Sequence, residues 1–196
     1  MRQDLTHIQQ WIRTGARVLD LGCGDGEFLA QLQATREVKG LGLEIDADNI
    51  NAAIGRGLDI IEQNIDRGLG NFADKSFDTV VMAFALQAVR SPHLVLEEML
   101  RIGQECIVTF PNFGHWRCRL YLSLRGRMPV SRLLPYNWYD TPNIHFCTVR
   151  DFEALCAERQ IRILRRHMVG PDNTRGRLAR LWPNLFATTA IYHITR

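Results

Sequence analysis

The chain has 196 residues, 46% of them hydrophobic and 23% charged, with a formal net charge of +3. That balance supports one sizeable core and reads as a single domain over residues 1–196, too apolar for intrinsic disorder. The longest purely apolar run, Val80 to Leu86, falls well short of the roughly 20 residues of a membrane-spanning helix, and Met1 to Thr14 lacks the pattern of a secretory signal, so we expect a cytoplasmic protein with no membrane partner.

In chain order, Leu5, Ile8, Trp11 and Ile12 predict a helix, and Arg17 to Leu21 the first strand. Phe28, Leu29 and Leu32 mark the apolar face of a second helix, followed by a strand over Val38 to Ile45. Ile50, Ala53 and Ile54 mark the next helix, and Ile60 to Glu62 a third strand. Phe77 to Ala83 reads as the fourth strand. A helix with Leu94, Val95, Met99 and Ile102 on its apolar face follows, opened by Pro92 in the first turn where proline is favoured, and Glu105 to Phe110 is the fifth strand. Strands alternating with amphipathic helices are the signature of βαβ units around a parallel sheet, so the fold class is α/β.

After Phe110 the alternation breaks. Pro111, Pro129, Pro135 and Pro142 with interleaved aromatics predict an irregular insertion over residues 111–148, packed over the sheet, rather than another simple βα unit. Order returns with a helix over Val149 to Arg159, a strand over Gln160 to His167 and an alternating terminal strand over Phe186 to Thr195.

The charge is unevenly spread. Residues 1–111 hold 10 basic against 16 acidic residues, whereas residues 112–182 hold 13 against 5. The basic stretch is either a solvated surface of an arginine-rich chain or a docking face for an acidic partner or ligand. Nucleic acid is disfavoured as a partner, because the arginines are scattered and no nucleic-acid motif accompanies them. The five cysteines, Cys23, Cys106, Cys118, Cys147 and Cys156, show no CxxC pair and no zinc spacing, which fits reduced thiols and no metal.

The most informative stretch is Val18-Leu19-Asp20-Leu21-Gly22-Cys23-Gly24-Asp25-Gly26-Glu27, a strand running into a glycine-rich turn and then a helix. Glycine at alternate positions clears side chains where a ligand touches backbone. Glu44 ends the second strand, where a carboxylate can accept from both ribose hydroxyls, and Asp66 follows the third, where it could accept from an adenine amine. With Asp20 they place one acid at the carboxyl end of each of three strands, and Asp25 and Asp46 add negative charge to the rim. Taken singly, each acid is equally a solvated loop or capping residue.

A dinucleotide's pyrophosphate prefers a helix N-terminus free of carboxylates, but Asp25 and Glu27 stand in this turn. S-adenosylmethionine carries no phosphate; its sulfonium and ammonium are stabilised by an acidic rim. S-adenosyl-L-methionine, or its demethylated product S-adenosyl-L-homocysteine, is therefore the expected cofactor.

At these residues the chain resembles the class I S-adenosylmethionine-dependent methyltransferases. The resemblance implies that Asp20 lies near the methionine amino group and that Gly22, Gly24 and Gly26 lie beside methionine and ribose. It implies further that Glu44 holds the ribose, Ile45 and Ile65 flank the adenine, Asp66 contacts its amine, and backbone near Ala83 approaches the methionine part. Val-Leu-Asp-Leu-Gly-Cys-Gly-Asp-Gly, Gly-Leu-Glu-Ile-Asp and Ala-Leu-Gln-Ala-Val, with Phe110-Pro111-Asn112-Phe113-Gly114-His115-Trp116 and the run from Leu134 to His145, are similar to the MetW family of methionine biosynthesis proteins. That resemblance implies a Rossmann-like, mostly parallel seven-stranded sheet with helices on both faces and its last strand antiparallel. It also implies a role beside homoserine O-acyltransferase.

Methyl transfer needs an aligned acceptor and sometimes a base. After the fourth strand, methyltransferases acting on planar amines carry Asn or Asp, two prolines and an aromatic, where this chain has Met82-Ala83-Phe84-Ala85-Leu86-Gln87, so such acceptors are disfavoured. His115, Trp116, Tyr136, Trp138, Tyr139 and His145 could line an acceptor pocket, with His115, Tyr139 and His145 as catalytic candidates or as packing and hydrogen-bonding residues. Three roles are open: an accessory or regulatory partner of the acyltransferase, a small-molecule O- or carboxyl-methyltransferase, and, disfavoured, a nucleic-acid methyltransferase.

Overall fold

A computed structural model describes residues 3–131, 134–170 and 177–196, with backbone alone at residues 3–5 and 177. The elements are α1 (Gln3–Gln9), β1 (Arg17–Leu21), α2 (Glu27–Arg36), β2 (Lys39–Glu44), α3 (Ala47–Gly55), β3 (Asp59–Glu62), β4 (Phe77–Ala83), α4 (Pro92–Ile102), β5 (Gly103–Pro111), α5 (Trp116–Arg125), α6 (Val149–Glu158), β6 (Arg162–Val169), α7 (Arg177–Leu181), α8 (Pro183–Phe186) and β7 (Thr189–Thr195). They build a seven-stranded sheet in the order β3-β2-β1-β4-β5-β7-β6. Strands β1 to β5 run parallel, while β7 lies antiparallel to both β5 and β6. The α/β expectation, with a mostly parallel sheet and an antiparallel last strand, is met.

The pleat sorts the strand residues into two cores. Leu19, Leu21, Val80, Met82, Val108 and Tyr192 pack with α4 and α6 on one face. Val18, Val81, Ile107 and Ile191 pack on the other with Ile8, Ile12 and the Phe28, Leu29 and Leu32 face of α2. Strand β7 is buried along its whole length because it is inserted between β5 and β6. Of the predicted first helix, Leu5 lies outside the described side chains.

Several expectations shift. Two apolar residues expected on helix faces toward the core, Ile54 and Leu94, are mostly exposed. The terminal strand starts at Thr189 rather than Phe186, because Pro183–Phe186 coils into α8. Strand β6 starts at Arg162, two residues later than Gln160, which takes a left-handed conformation (φ 56°) as the chain leaves α6. The insertion is less irregular than expected: it begins with the ten-residue helix α5, opened by His115 and closed by Gly126, whose N–H bonds the Leu122 carbonyl. The interleaved apolar residues of α5 conceal a helical period because few of them face the core.

Candidate functional site

Strand β1 delivers Asp20 to its carboxyl end, in register with Gly42 of β2 and Val81 of β4. The chain then turns through Gly22, Gly24 and Gly26, all at positive φ. Two backbone N–H groups of the turn, Gly22 and Cys23, donate to the Leu43 carbonyl at 2.9 and 3.1 Å, which lays the turn across the end of β2. Gly26 is needed for packing: a Cβ there would meet the Leu58 side chain and come within 3.0 Å of the Ala53 Cβ. Gly24 differs, since a Cβ there would meet nothing within 4 Å, so at φ 56° its freedom serves an open face.

Glu44 closes β2 and clamps this turn. Its Oε2 accepts from the Gly24 N–H at 2.8 Å, and its Oε1 from the Ile45 and Asp46 N–H groups at 2.7 and 3.0 Å. A carboxylate has about four acceptor sites, so three bonds leave capacity for a ligand hydroxyl. Asp20 has no such support. It is 2% exposed, and no side-chain or backbone donor to its carboxylate is found among the described residues. Burial, and then the neighbouring Glu44 charge, push its pKa up to about 7. Cys23 beside it is pushed up to about 12, chiefly by burial, which makes it an inert thiol.

The other rim acids are engaged locally. Asp46 caps α3 through the Asn49 N–H and keeps its charge at the rim, whereas Asp25 accepts from the Glu27 N–H and pairs with Arg56, which offsets the charge expected of it. Ile65 and Asp66 lie on a single 3-10 turn, Ile65–Arg67, which the Asn64 side chain caps. The Asp66 carboxylate accepts from the Arg90 N–H at 2.8 Å, and that bond ties this turn to the segment after β4. Ile45 is exposed, while Ile65 and Ala83 are half-buried.

After Ala83 the chain takes an unusual step. Phe84 stands at φ 57°, its N–H donating to the Thr109 carbonyl and hydroxyl at 3.1 and 3.0 Å, and its carbonyl accepting from the Gln87 amide at 2.6 Å. A bulky residue held in this region marks a locally constrained backbone. A Cβ on Gly22 would lie 3.1 Å from that of Ala85, so this segment and the glycine turn face each other at close range. No periodicity signals Phe84, Thr109 or Gln87; Phe84 and Gln87 stand out only as part of the stretch from Met82 to Val89 that follows the fourth strand.

The structure separates the three catalytic candidates. His145 reaches this segment: its backbone N–H donates to the Gln87 carbonyl at 3.0 Å and its ring Nε2 lies 3.2 Å from the Arg90 carbonyl. His115 is buried and caps α5, its Nδ1 accepting from the Arg117 N–H at 3.3 Å. Burial, and then the Arg117 charge, hold its pKa below the usual range, so it is neutral with its proton on Nε2. Tyr139 is exposed, edge-on to Trp138, with no hydrogen bond to the crevice among the described residues.

Asn112, just after β5, is a buried hub to which the sequence assigned no role. Its amide donates to the Ala187 carbonyl at 2.8 Å, and its oxygen accepts from the Gly114 and Val149 N–H groups at 3.0 and 3.3 Å, joining the end of β5 to α6 and α8.

The family model described as Methionine biosynthesis protein MetW matches residues 2–194. The Bifunctional methionine biosynthesis protein MetXA/MetW of Rhodopirellula baltica is 33% identical over 205 residues, covering 96% of this chain; the chain spans 32% of the length of that curated relative. Among solved structures, a SAM-dependent methyltransferase from Archaeoglobus fulgidus superposes with a TM-score of 0.71 at 15% identity, over 99% of this chain and 92% of that one. Magnesium protoporphyrin IX methyltransferase from Synechocystis PCC 6803, solved with bound SAH, gives a TM-score of 0.67 at 16% identity, over 99% of this chain and 82% of that one. At these identities the two structures speak for the fold. With a match over nearly its whole length and a curated relative sharing a third of its residues, the chain belongs to the MetW family of methionine biosynthesis proteins, built on the fold of the S-adenosylmethionine-dependent methyltransferases.

Proposed function

We propose that the chain binds S-adenosyl-L-methionine and S-adenosyl-L-homocysteine at the carboxyl ends of β1 to β4 and acts in the cytoplasm as an accessory partner of homoserine O-acyltransferase. The observation that carries the ligand is Asp20, a buried carboxyl without a donor among the described residues, beside Glu44 at the head of a turn whose Gly24 face is open. A ligand ammonium supplies the missing donor and counter-charge, whereas a pyrophosphate would meet two carboxylates. In this reading Gly22, Gly24 and Gly26 lie beside methionine and ribose, and Glu44 accepts from the ribose with its remaining capacity. Ile45 and Ile65 flank the adenine, Asp66 accepts from its amine with the oxygen that Arg90 leaves unused, and backbone at Ala83 borders the methionine part. When bound, S-adenosylmethionine supplies an activated methyl group; this chain's residues bind and orient it.

Support for the partner comes from the MetXA/MetW relative, in which the matched third is part of a longer bifunctional protein. A covalent link between two activities fits parts that work side by side. Among the described residues no helix is long and apolar enough to cross a membrane.

Calorimetric titration tests the ligand. Glu44→Ala removes the ribose acceptor, and at about 1.5–3 kcal/mol for a hydrogen bond to a charged group the affinity for S-adenosylmethionine falls at least about tenfold. Thermal denaturation run alongside separates ligand loss from a loosened turn. Wild-type affinity in the variant refutes the ribose role, and equal binding of a nicotinamide dinucleotide by the wild type refutes the cofactor. Acyltransferase turnover with and without this chain and S-adenosylmethionine tests the partnership, and unchanged turnover in every combination refutes it.

A further inference from the structure

Helix α5 is amphipathic with its apolar side turned outward. Among its ten residues only Cys118 is buried. At 100° per residue, Trp116, Leu120 and Leu124 form one stripe on the side roughly opposite Cys118, and they are 38%, 48% and 74% exposed. A helix of a globular domain turns such a stripe toward the core; here the core side holds little and the outer side holds a tryptophan and two leucines. Arginines border the stripe: Arg117, whose guanidinium sits 5.4 Å over the Trp116 ring, and Arg119, fixed by a 2.6 Å bond from its Nε to the Gly114 carbonyl.

The surface continues beyond α5. A cavity of about 360 Å³ opens between α5, α6 and α8, with Arg119 and Arg150 beside the apolar side chains of Val149, Trp182 and Leu185. Arg119 therefore borders the stripe and lines the cavity. Glu153, the one acid lining it among the described residues, is already paired with Arg166 and accepts from the Tyr192 hydroxyl. From residue 112 to residue 139 the sequence holds five arginines, Arg117, Arg119, Arg125, Arg127 and Arg132, and no acid.

We propose that the Trp116–Leu120–Leu124 stripe and the adjoining cavity form a docking ridge for a protein partner that presents an apolar groove with acidic rims. The stripe lies along the groove floor, as an amphipathic helix does in groove recognition, and the cavity takes one apolar anchor from the partner. The arginines on both flanks select the acidic rims and steer the approach. Charge also sets aside a second copy of this chain seated helix on helix, which would oppose arginine to arginine. The acyltransferase of the proposed function supplies the groove; the identity of the partner, but not the geometry of the ridge, rests on that reading.

Sedimentation velocity of the purified acyltransferase with this chain, at about 50 and 300 mM salt, tests the ridge. Leu120→Asp with Leu124→Asp changes two exposed positions and leaves Asp20 and Glu44 untouched, so circular dichroism and S-adenosylmethionine affinity stay at wild-type values. We expect a wild-type complex that weakens with salt, and a loss of at least 100-fold in affinity in the double variant. Arg117→Glu with Arg119→Glu is expected to weaken the complex and remove most of its salt dependence. A double leucine variant that binds like wild type overturns the ridge and leaves the partnership standing. A wild type that does not bind overturns both. A wild-type dimer broken by the leucine variant, or binding of the wild type to vesicles of phosphatidylglycerol, overturns the choice of occupant.

Discussion

Replacing Asp20 by asparagine keeps the shape of a buried side chain and removes its charge. The wild-type carboxyl ionises near pH 7 in the folded protein against an ordinary value of 3.8. Below pH 4 it is protonated in both states and costs nothing. As the pH climbs from 4 to 7 the unfolded chain gives up its proton first, so the wild type loses stability across that window and no more above it. A shift of about three pH units at 1.36 kcal/mol each sets the loss at about 4 kcal/mol. The amide of the variant does not titrate. We therefore expect Asp20→Asn to match the wild type at pH 4 and to exceed it by up to about 4 kcal/mol at pH 8, a rise in Tm on the order of 10 °C for a chain of this size. Binding moves the other way: the variant cannot pair with a ligand ammonium and loses at least about tenfold in S-adenosylmethionine affinity, while wild-type affinity rises between pH 5.5 and 8 as the carboxylate forms. Denaturant titrations at pH 4 and 8, with calorimetry across the range, measure both. Equal stability at pH 8 refutes the donorless burial of Asp20, and undiminished affinity in the variant refutes the ammonium role.

Gly26→Ala and Gly24→Ala separate packing from binding. The first drives a Cβ into Leu58 and Ala53 at φ 76° and is expected to cost about 2 kcal/mol or more, whereas the second meets open space and costs about 1–2 kcal/mol of left-handed strain but obstructs the ligand face; denaturation and calorimetry on both variants check the contrast. Asn112→Ala strands the Gly114 and Val149 N–H groups and the Ala187 carbonyl in a buried site, and should destabilise the fold by about 3 kcal/mol or more, read as a Tm lower by roughly 6–12 °C. A smaller fall would mean that water takes over the bonds.

The alternation of short apolar runs with amphipathic segments was enough to specify β1 to β5 and the parallel sheet, because burial on both faces leaves a continuous apolar signature and a crossover helix leaves a 3.6-residue period. The glycine turn and the acids Asp20, Glu44 and Asp66 were legible for a related reason: a strand running into a turn fixes which residues reach the same edge of a parallel sheet. What each acid does there was not legible. Glu44 clamps the turn through three backbone N–H groups, Asp46 and Asp25 are engaged in a cap and an ion pair, and Asp20 alone of these acids is left without a donor among the described residues. Those differences arise from which backbone amides arrive beside each carboxylate, a matter of three-dimensional approach that no local pattern encodes. The same holds for residues 111–148. Their prolines and aromatics announce a departure from the βα rhythm, yet only the tertiary structure seats Asn112 among α6 and α8, brings His145 against Gln87 and Arg90, and leaves Trp116, Leu120 and Leu124 of α5 facing outward, because a helical period records that a stripe exists and not which side of it the core occupies.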